Sequence, residues 1–325
     1  MNIFIALGLM FVVLAVARAA FDYRVPGLAV IAMYLALYFV VERVRGRGAR
    51  TKYADEPAPD HSGWPTSGPV GRLGQPGLMA VWMVTNTLAV LNPFQLAQVL
   101  RQLAGNEKLK ARERATGRDG KEDPTEVRYS LPFEGEWLVY NGGNTPKTSH
   151  SWEVLGQRFA LDFVIADDAL RRHTGRGTRA EDYFCYDRPI LAAADGEVVA
   201  VEDRVGLAPL LGWGVCDFTA RNFIGNHAFI RHGPREFALY AHLVRGSVPV
   251  RPGDKVVRGQ VIGRCGHTGH SSEPHLHFHV QDSDELFEGM GRPVRFASLS
   301  IDGRPAGDAV LVAGNRVRSA APSGP

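Results

Sequence analysis

The sequence predicts a mostly β protein: a compact antiparallel β-sheet domain behind an N-terminal α-helical membrane region. Two observations predict it. Beyond residue 129, short apolar runs recur between glycine-rich turns, at 136–140, 159–165, 196–201, 228–231, 237–241, 256–262 and 275–280, the pattern of short strands in an antiparallel sheet. At the other end the chain opens with two long apolar stretches, 3–17 and 25–41, that lack the polar face of a surface helix.

In chain order, the first apolar stretch extends through Ala19, Ala20 and Phe21, so spans are expected near 3–20 and 25–41. Ala17-Arg18-Ala19 has the small-residue spacing of a signal-peptide cleavage site, but the basic leader is missing and a second apolar run follows. Arg43, Arg45, Arg47, Arg50 and Lys52 come next, and the positive-inside rule places them in the cytoplasm. Residues 54–76 are rich in Pro, Gly and Ser and have the composition of a linker. Residues 77–91 are apolar enough for a third span or for a helix lying on the membrane. Residues 107–126 are dense in charge of both signs, which predicts a second linker. The expected organisation is a membrane-associated helical region over 1–105, a charged linker over 106–128, a β domain over 129–318 and a disordered tail over 319–325. Residues 203–226 interrupt the strand series, either as a wall of a substrate groove or as loop variation.

Function is carried by histidines. In His275-Leu276-His277-Phe278-His279, alternate side chains of an extended segment share a face, so two or three imidazoles converge on one point. Spacing alone leaves open which two act. Asp162 sits inside the apolar run 159–165, where an unpaired carboxylate is costly. A metal resolves that cost, and so does an ion pair with a neighbour such as Arg158. His227 and His232 flank an apolar strand core and are expected to be structural, while residues 266–272 lack the lysine and helix of a phosphate loop.

Several segments in order, GNHAFIRHG from Gly225, YAHL from Tyr240, VRPGDKVVRGQVIGRCGHTG from Val250 and SSEPHLHF from Ser271, resemble the lysostaphin-like (LytM-type) zinc metallopeptidases, peptidoglycan endopeptidases. The resemblance is strong over 189–280, looser over 137–166 and absent before about residue 129. It implies a LytM/lysostaphin-type, duplicated-hybrid-motif-like fold and a Zn2+ site. Carried over by position, it implies His277, Asp162 and His150 as metal ligands and His242 and His275 as the catalytic acid/base pair. The family keeps its early His and Asp only a few residues apart. Here His150 and Asp162 are separated by SWEVLGQRFAL, and His173 is the substitute if His150 is an ordinary loop histidine. Zinc with three protein ligands keeps a position for water. The expected reaction is hydrolysis of peptide bonds in peptidoglycan by a zinc-activated water, from a protein in the bacterial cell membrane whose catalytic domain faces the wall. The alternative is a catalytically inactive protein of the same fold that binds peptide or activates another cell-wall hydrolase. A third reading keeps the peptidase but gives it a membrane-proximal protein substrate.

Near-balanced charge, 37 Lys and Arg against 34 Asp and Glu, without interleaved aromatics argues against nucleic-acid binding. The expected partners are therefore peptidoglycan peptides and membrane. Cys185, Cys216 and Cys265 are too few and scattered for a disulfide framework, and Cys265 is either a small core residue or a fourth ligand.

Overall fold

The computed structural model describes residues 2–21, scattered positions between 29 and 43, residue 61, and residues 63–117 and 120–319. The chain divides into two units, Met1–Pro57 and Ala58–Pro325. The described part of the first is α1 (Asn2–Phe21), with helical positions at Ala29, Val30, Met33, Ala36, Leu37, Val40, Val41 and Arg43. Most of the expected second span lies outside the described residues. Among them no single helix is long and apolar enough to cross a membrane.

The second unit begins with two helices, α2 (Gly74–Leu91) and α3 (Pro93–Thr116). Their apolar pairing is bent by 93°, measured between Pro76–Ala89 and Pro93–Thr116. Asn92 sets the break: its side-chain oxygen caps α3 by accepting from Phe94 N and Gln95 N, and Pro93 fills the first turn, where no N–H is needed. Gly117, at φ 65°, ends the helix in the left-handed conformation.

The β domain follows in strands β1 (Glu136–Asn141), β2 (Leu161–Val164), β3 (Pro189–Leu191), β4 (Gly196–Glu202), β5 (Asn226–Gly233), β6 (Glu236–Leu243), β7 (Lys255–Val256), β8 (Val261–Arg264), β9 (Leu276–Gln281), β10 (Gly291–Arg292), β11 (Leu299–Ile301), β12 (Arg304–Ala306) and β13 (Arg316–Ser319). The main sheet is ordered β12-β11-β13-β1-β2-β9-β6-β5-β4-β7, with β10 on β9, and β3 pairs β8 separately. The strand pairs are antiparallel, as the alternating sequence pattern predicts.

Alternation sorts each central strand into two faces. Trp137 and Val139 of β1, Leu161 and Phe163 of β2, Ala238 and Tyr240 of β6, and Leu276, Phe278 and Val280 of β9 share one core with Ile190, Ile262 and Phe296. Each large apolar side chain so buried contributes roughly 1.5–3 kcal/mol. The residues between them, Asp162, Ala241, His277 and His279, therefore point to the opposite face.

Four expectations are corrected. Residues 256–262 are not one strand: Gly259, at φ 82°, turns the chain, so β7 joins β4 in the main sheet while β8 pairs β3. Residues 107–116 are not linker but the second half of α3, whose buried residues Gln95, Gly105, Asn106 and Leu109 lie on one helical face. Its charges are spent in pairs, Arg112 with Asp282, Lys108 with Glu288, and Glu113 with Arg158. The described part of 54–76 also folds onto the domain, with Val70 N donating to Gly212 O. Ser319, expected in the tail, pairs with Leu299 in β13.

α2 is anchored at both ends on the insertion 203–226: Leu78 lies against Gly214, and Asn92 Nδ2 donates to Phe218 O and Ala220 O. It is thus a surface helix of this unit, with Met79, Val84, Leu88 and Leu91 exposed.

Candidate metal centre

Adjacent strands set the centre. Asp162 on β2 and His277 on β9 are direct cross-strand partners, as are His277 and Ala241 on β6. Their side chains therefore rise side by side from the face opposite the core.

His242 reaches the same place through a bulge. Asn226 pairs with Leu243 and His227 with Ala241, which leaves His242 unpaired at φ 65°. A non-glycine residue in that conformation costs of order 1–3 kcal/mol and turns the side chain away from the regular pleat. Its ring lies 4.8 Å from that of His275 and 5.8 Å from that of His277.

His150 is far from Asp162 in sequence but not in space. The intervening loop folds back on itself: Ser149 Oγ donates to Arg158 O and Ser151 Oγ to Gln157 O, around a short 3-10 turn at Leu155–Gln157. Asn106 of α3 clasps the loop from outside, donating to Glu153 O and accepting from Leu155 N. His150 Nε2 comes to 3.4 Å from Asp162 Oδ2.

The donor atoms of His150, Asp162 and His277 all lie within 4.8 Å of one another. Zinc bonds of about 2.0–2.1 Å at tetrahedral angles set neighbouring donors about 3.4 Å apart, so the set fits the ion. Hydrogen-bond polarity adds a second test. Gln281 Nε2 donates to Ser283 O and Glu285 O, so its Oε1 faces His279 Nε2 at 3.3 Å and must accept a proton there. Burial pushes His279 down to about 3, leaving one ring proton, so its Nδ1 accepts from His277 Nε2 at 3.0 Å. The Nδ1 lone pair of His277 then faces Asp162 Oδ1 at 2.9 Å. Two acceptors held that close need a cation or a proton between them.

Burial works to raise the Asp162 carboxyl, but His150, His275 and His277 outweigh it and hold it well below the usual range. Its contacts within ion-pair distance are these three histidines, with no Lys or Arg among the described residues, and Asn141 Nδ2 donates to its Oδ2. Arg158 pairs with Glu113 instead. Burial lowers His150 and, more strongly, His242.

The flanking imidazoles are oriented alike. His242 Nδ1 donates to Thr268 O at 2.7 Å and His275 Nδ1 to Glu273 O at 2.7 Å. Each ring therefore carries its proton on the far side, and His275 Nε2 stands 3.7 Å from Asp162 Oδ1.

The structure thus gathers the five residues indicated by the sequence, His150, Asp162, His242, His275 and His277. His173 lies elsewhere, bound to Thr174 O and accepting from Gly68 N. Cys265 is a fully buried core residue and stands outside the donor cluster. His227 and His232 are held by Gly225 O and by Asp195 O with the Tyr240 hydroxyl. Sequence reasoning missed Asn141, Gln281 and the ordering role of His279. The period-2 alternation through His279 and Gln281 was the available signal.

An antiparallel β domain with an imidazole-carboxylate cluster on its polar face is the class that the lysostaphin-like resemblance anticipated. Residues 176–289 match the model of peptidase family M23. The matched stretch contains His242, His275 and His277; His150 and Asp162 lie upstream of it. Among curated proteins, the chain is 40% identical over 91 residues to peptidoglycan DD-endopeptidase ShyA of Vibrio cholerae, covering 28% of this chain and 19% of that one. It is 34% identical over 90 residues to glycyl-glycine endopeptidase ALE-1 of Staphylococcus capitis, covering 28% and 20%. The chain thus spans about a fifth of the length of these relatives. Among solved structures, the catalytic domain of lysostaphin from Staphylococcus simulans is 20% identical, with a TM-score of 0.27 over 49% of this chain and 88% of that one. A zinc-containing peptidase from Vibrio cholerae is 22% identical, with a TM-score of 0.31 over 56% and 40%.

Proposed function

We infer that this protein is a membrane-anchored zinc metalloendopeptidase that hydrolyses peptide bonds in peptidoglycan. The observation that carries the reading is the donor set of His150, Asp162 and His277 beside two imidazoles, His242 and His275, whose Nδ1 protons are committed to carbonyls.

Zinc held by that set would polarise the scissile carbonyl and lower the pKa of an attacking water. Asp162, ionised, balances the positive charge. His242, pushed well below its ordinary value by burial, is unprotonated at neutral pH and fits the role of base at Nε2. His275, closer to the surface, fits the proton donor to the leaving amine. The peptidoglycan substrate is supported by the names of the similar DD-endopeptidases.

Membrane anchoring rests on the apolar α1 and on the run at 25–41. Because α2 touches the second unit at both ends, it fits a helix lying on the bilayer better than a third crossing. With no crossing after residue 58, a catalytic domain on the wall side puts the basic residues 43–52 on that side too, against the positive-inside rule, and a cytoplasmic N terminus then needs an odd number of crossings before them. Protease accessibility of the domain in spheroplasts tests this.

The test of function is incubation of the full chain in detergent with cross-linked muropeptides, with and without chelator and beside His277→Ala, with products read by mass spectrometry. A fragment beginning near residue 127 is unsuitable, since it lacks α3. Chelator-sensitive cleavage that disappears in the variant is expected. Zinc-loaded, folded protein that cuts nothing would favour the binding or regulatory reading.

A further inference from the structure

Beside the metal centre lies a cavity of about 250 Å³ walled by residues 65–69, Arg72, Arg171, Arg172, His173 and Arg176. Four guanidinium groups line it and no carboxylate does. Arg171 is paired with Asp167, and Arg172 with Glu273. Arg72 and Arg176 have no carboxylate partner among the described residues, so the cavity carries two uncompensated positive charges.

The wall is built rather than incidental. Arg172 is 2% exposed, and its Nη2 donates to Pro65 O and Ser67 Oγ, which ties the strap of residues 65–69 to the domain. Gly68 packs against Gly212 so closely that a Cβ there would lie 2.3 Å from its Cα. His173 accepts at Nε2 from Gly68 N and turns its other nitrogen to Thr174 O. The strap is thereby fixed from two sides.

The cavity and the metal centre share a wall. Arg172 Nε donates to Glu273 Oε1, and the backbone oxygen of Glu273 accepts from His275 Nδ1. The Arg172 guanidinium also stacks 4.6 Å over the ring of Tyr140, whose neighbour Asn141 holds Asp162. The cavity is thus linked to His275 through Arg172 and Glu273.

We propose that this cavity is a substrate subsite that takes a free carboxylate of the peptide being cut, held by Arg72 and Arg176 over the rigid Arg172. The proposal rests on the peptidase reading. Guanidinium groups bind carboxylates through paired N–H donors, and a carboxylate, unlike an amide, gains from both free charges.

The test has two arms, both on the full chain. In the first, matched peptides with a free carboxylate or its carboxamide flanking the scissile bond are compared by KM. Wild type should favour the carboxylate by about three- to tenfold, the range expected for one or two partly exposed ion pairs. That ratio should fall to one in the Arg72→Ala, Arg176→Ala double variant. A ratio unchanged by the double variant, or absent in wild type, would overturn the proposal. In the second arm, N-acetylalanine, which has one free carboxylate, and its carboxamide N-acetylalaninamide, which has none, are titrated into the metal-loaded protein while the arginine Nε–H resonances are followed by NMR. Saturable shifts of Arg72 and Arg176 with N-acetylalanine alone are expected whether or not any peptide is cut, so this arm separates failure of carboxylate binding from failure of the peptidase reading. Equal shifts with both compounds, or displacement by inorganic phosphate at tenfold lower concentration, would overturn it in favour of a polar groove or a phosphate site.

Discussion

Replacing Gln281 with Met keeps length and burial but removes the group that sets the proton order of the centre. In the native protein the Gln281 amide is fixed by its two donations to Ser283 O and Glu285 O, and through His279 it forces the His277 proton onto Nε2. Met offers no acceptor to His279 Nε2. His279 is then free to carry its proton on Nδ1, facing His277, which drives the His277 proton onto Nδ1 beside Asp162. That nitrogen can no longer donate its lone pair to a metal without losing the proton first. Loss of a partner behind a ligating histidine typically weakens metal binding 10- to 100-fold, or about 1.4–2.8 kcal/mol. The assay is zinc affinity by chelator competition, with nitrogen-15 NMR of the His277 ring to read which nitrogen is protonated. A folded Gln281→Met protein that binds zinc within twofold of wild type, with His277 still protonated at Nε2, would refute the proton-order argument.

Other outcomes follow from the same geometry. His277→Ala should abolish zinc binding, whereas His242→Ala and His275→Ala should retain the metal and lose about 10²- to 10⁴-fold in kcat, read by metal content and turnover. Asn106→Ala leaves Leu155 N without its acceptor at a cost of about 1–3 kcal/mol and loosens the loop carrying His150, so both melting temperature and zinc affinity should fall. In Gly105→Ala the new Cβ would lie 1.8 Å from Phe287 O, which must shift α3 outward and lower the melting temperature by thermal denaturation. Burial depresses His232 and His270 to about 4, below the ordinary 6.5 of an unfolded chain. The unfolded state therefore binds more protons between those values, and chemical denaturation should show metal-free stability falling as pH drops from about 6.5 to about 4.

The β domain and its centre were legible because alternation is a local signal: Leu276, Phe278 and Val280 announce one face of β9 and so assign His277 and His279 to the other. Asp162 was legible as a polar residue inside an apolar run. The partner of Arg158 was not, because Glu113 lies on a helix whose docking is a tertiary matter. α3 was misread for a related reason. Its charge density has the composition of a linker, yet the residues that dock it are Gln95, Gly105 and Asn106, none of them apolar enough to mark a buried stripe. The long gap between His150 and Asp162 was legible as a departure from the family pattern, but the serine hydrogen bonds that close it depend on where the loop returns. The short strands β11 to β13 are too polar and brief to stand out from turns.

The direct pairing of Asp162 with His277 makes metal occupancy a report on strand alignment. A slip of one residue between β2 and β9 would exchange inward and outward faces and present Leu161 or Phe163 where the carboxylate belongs. Chains that close the sheet in the wrong frame therefore cannot load metal. Titrating bound zinc against total protein during refolding would count the correctly framed molecules directly, without any substrate.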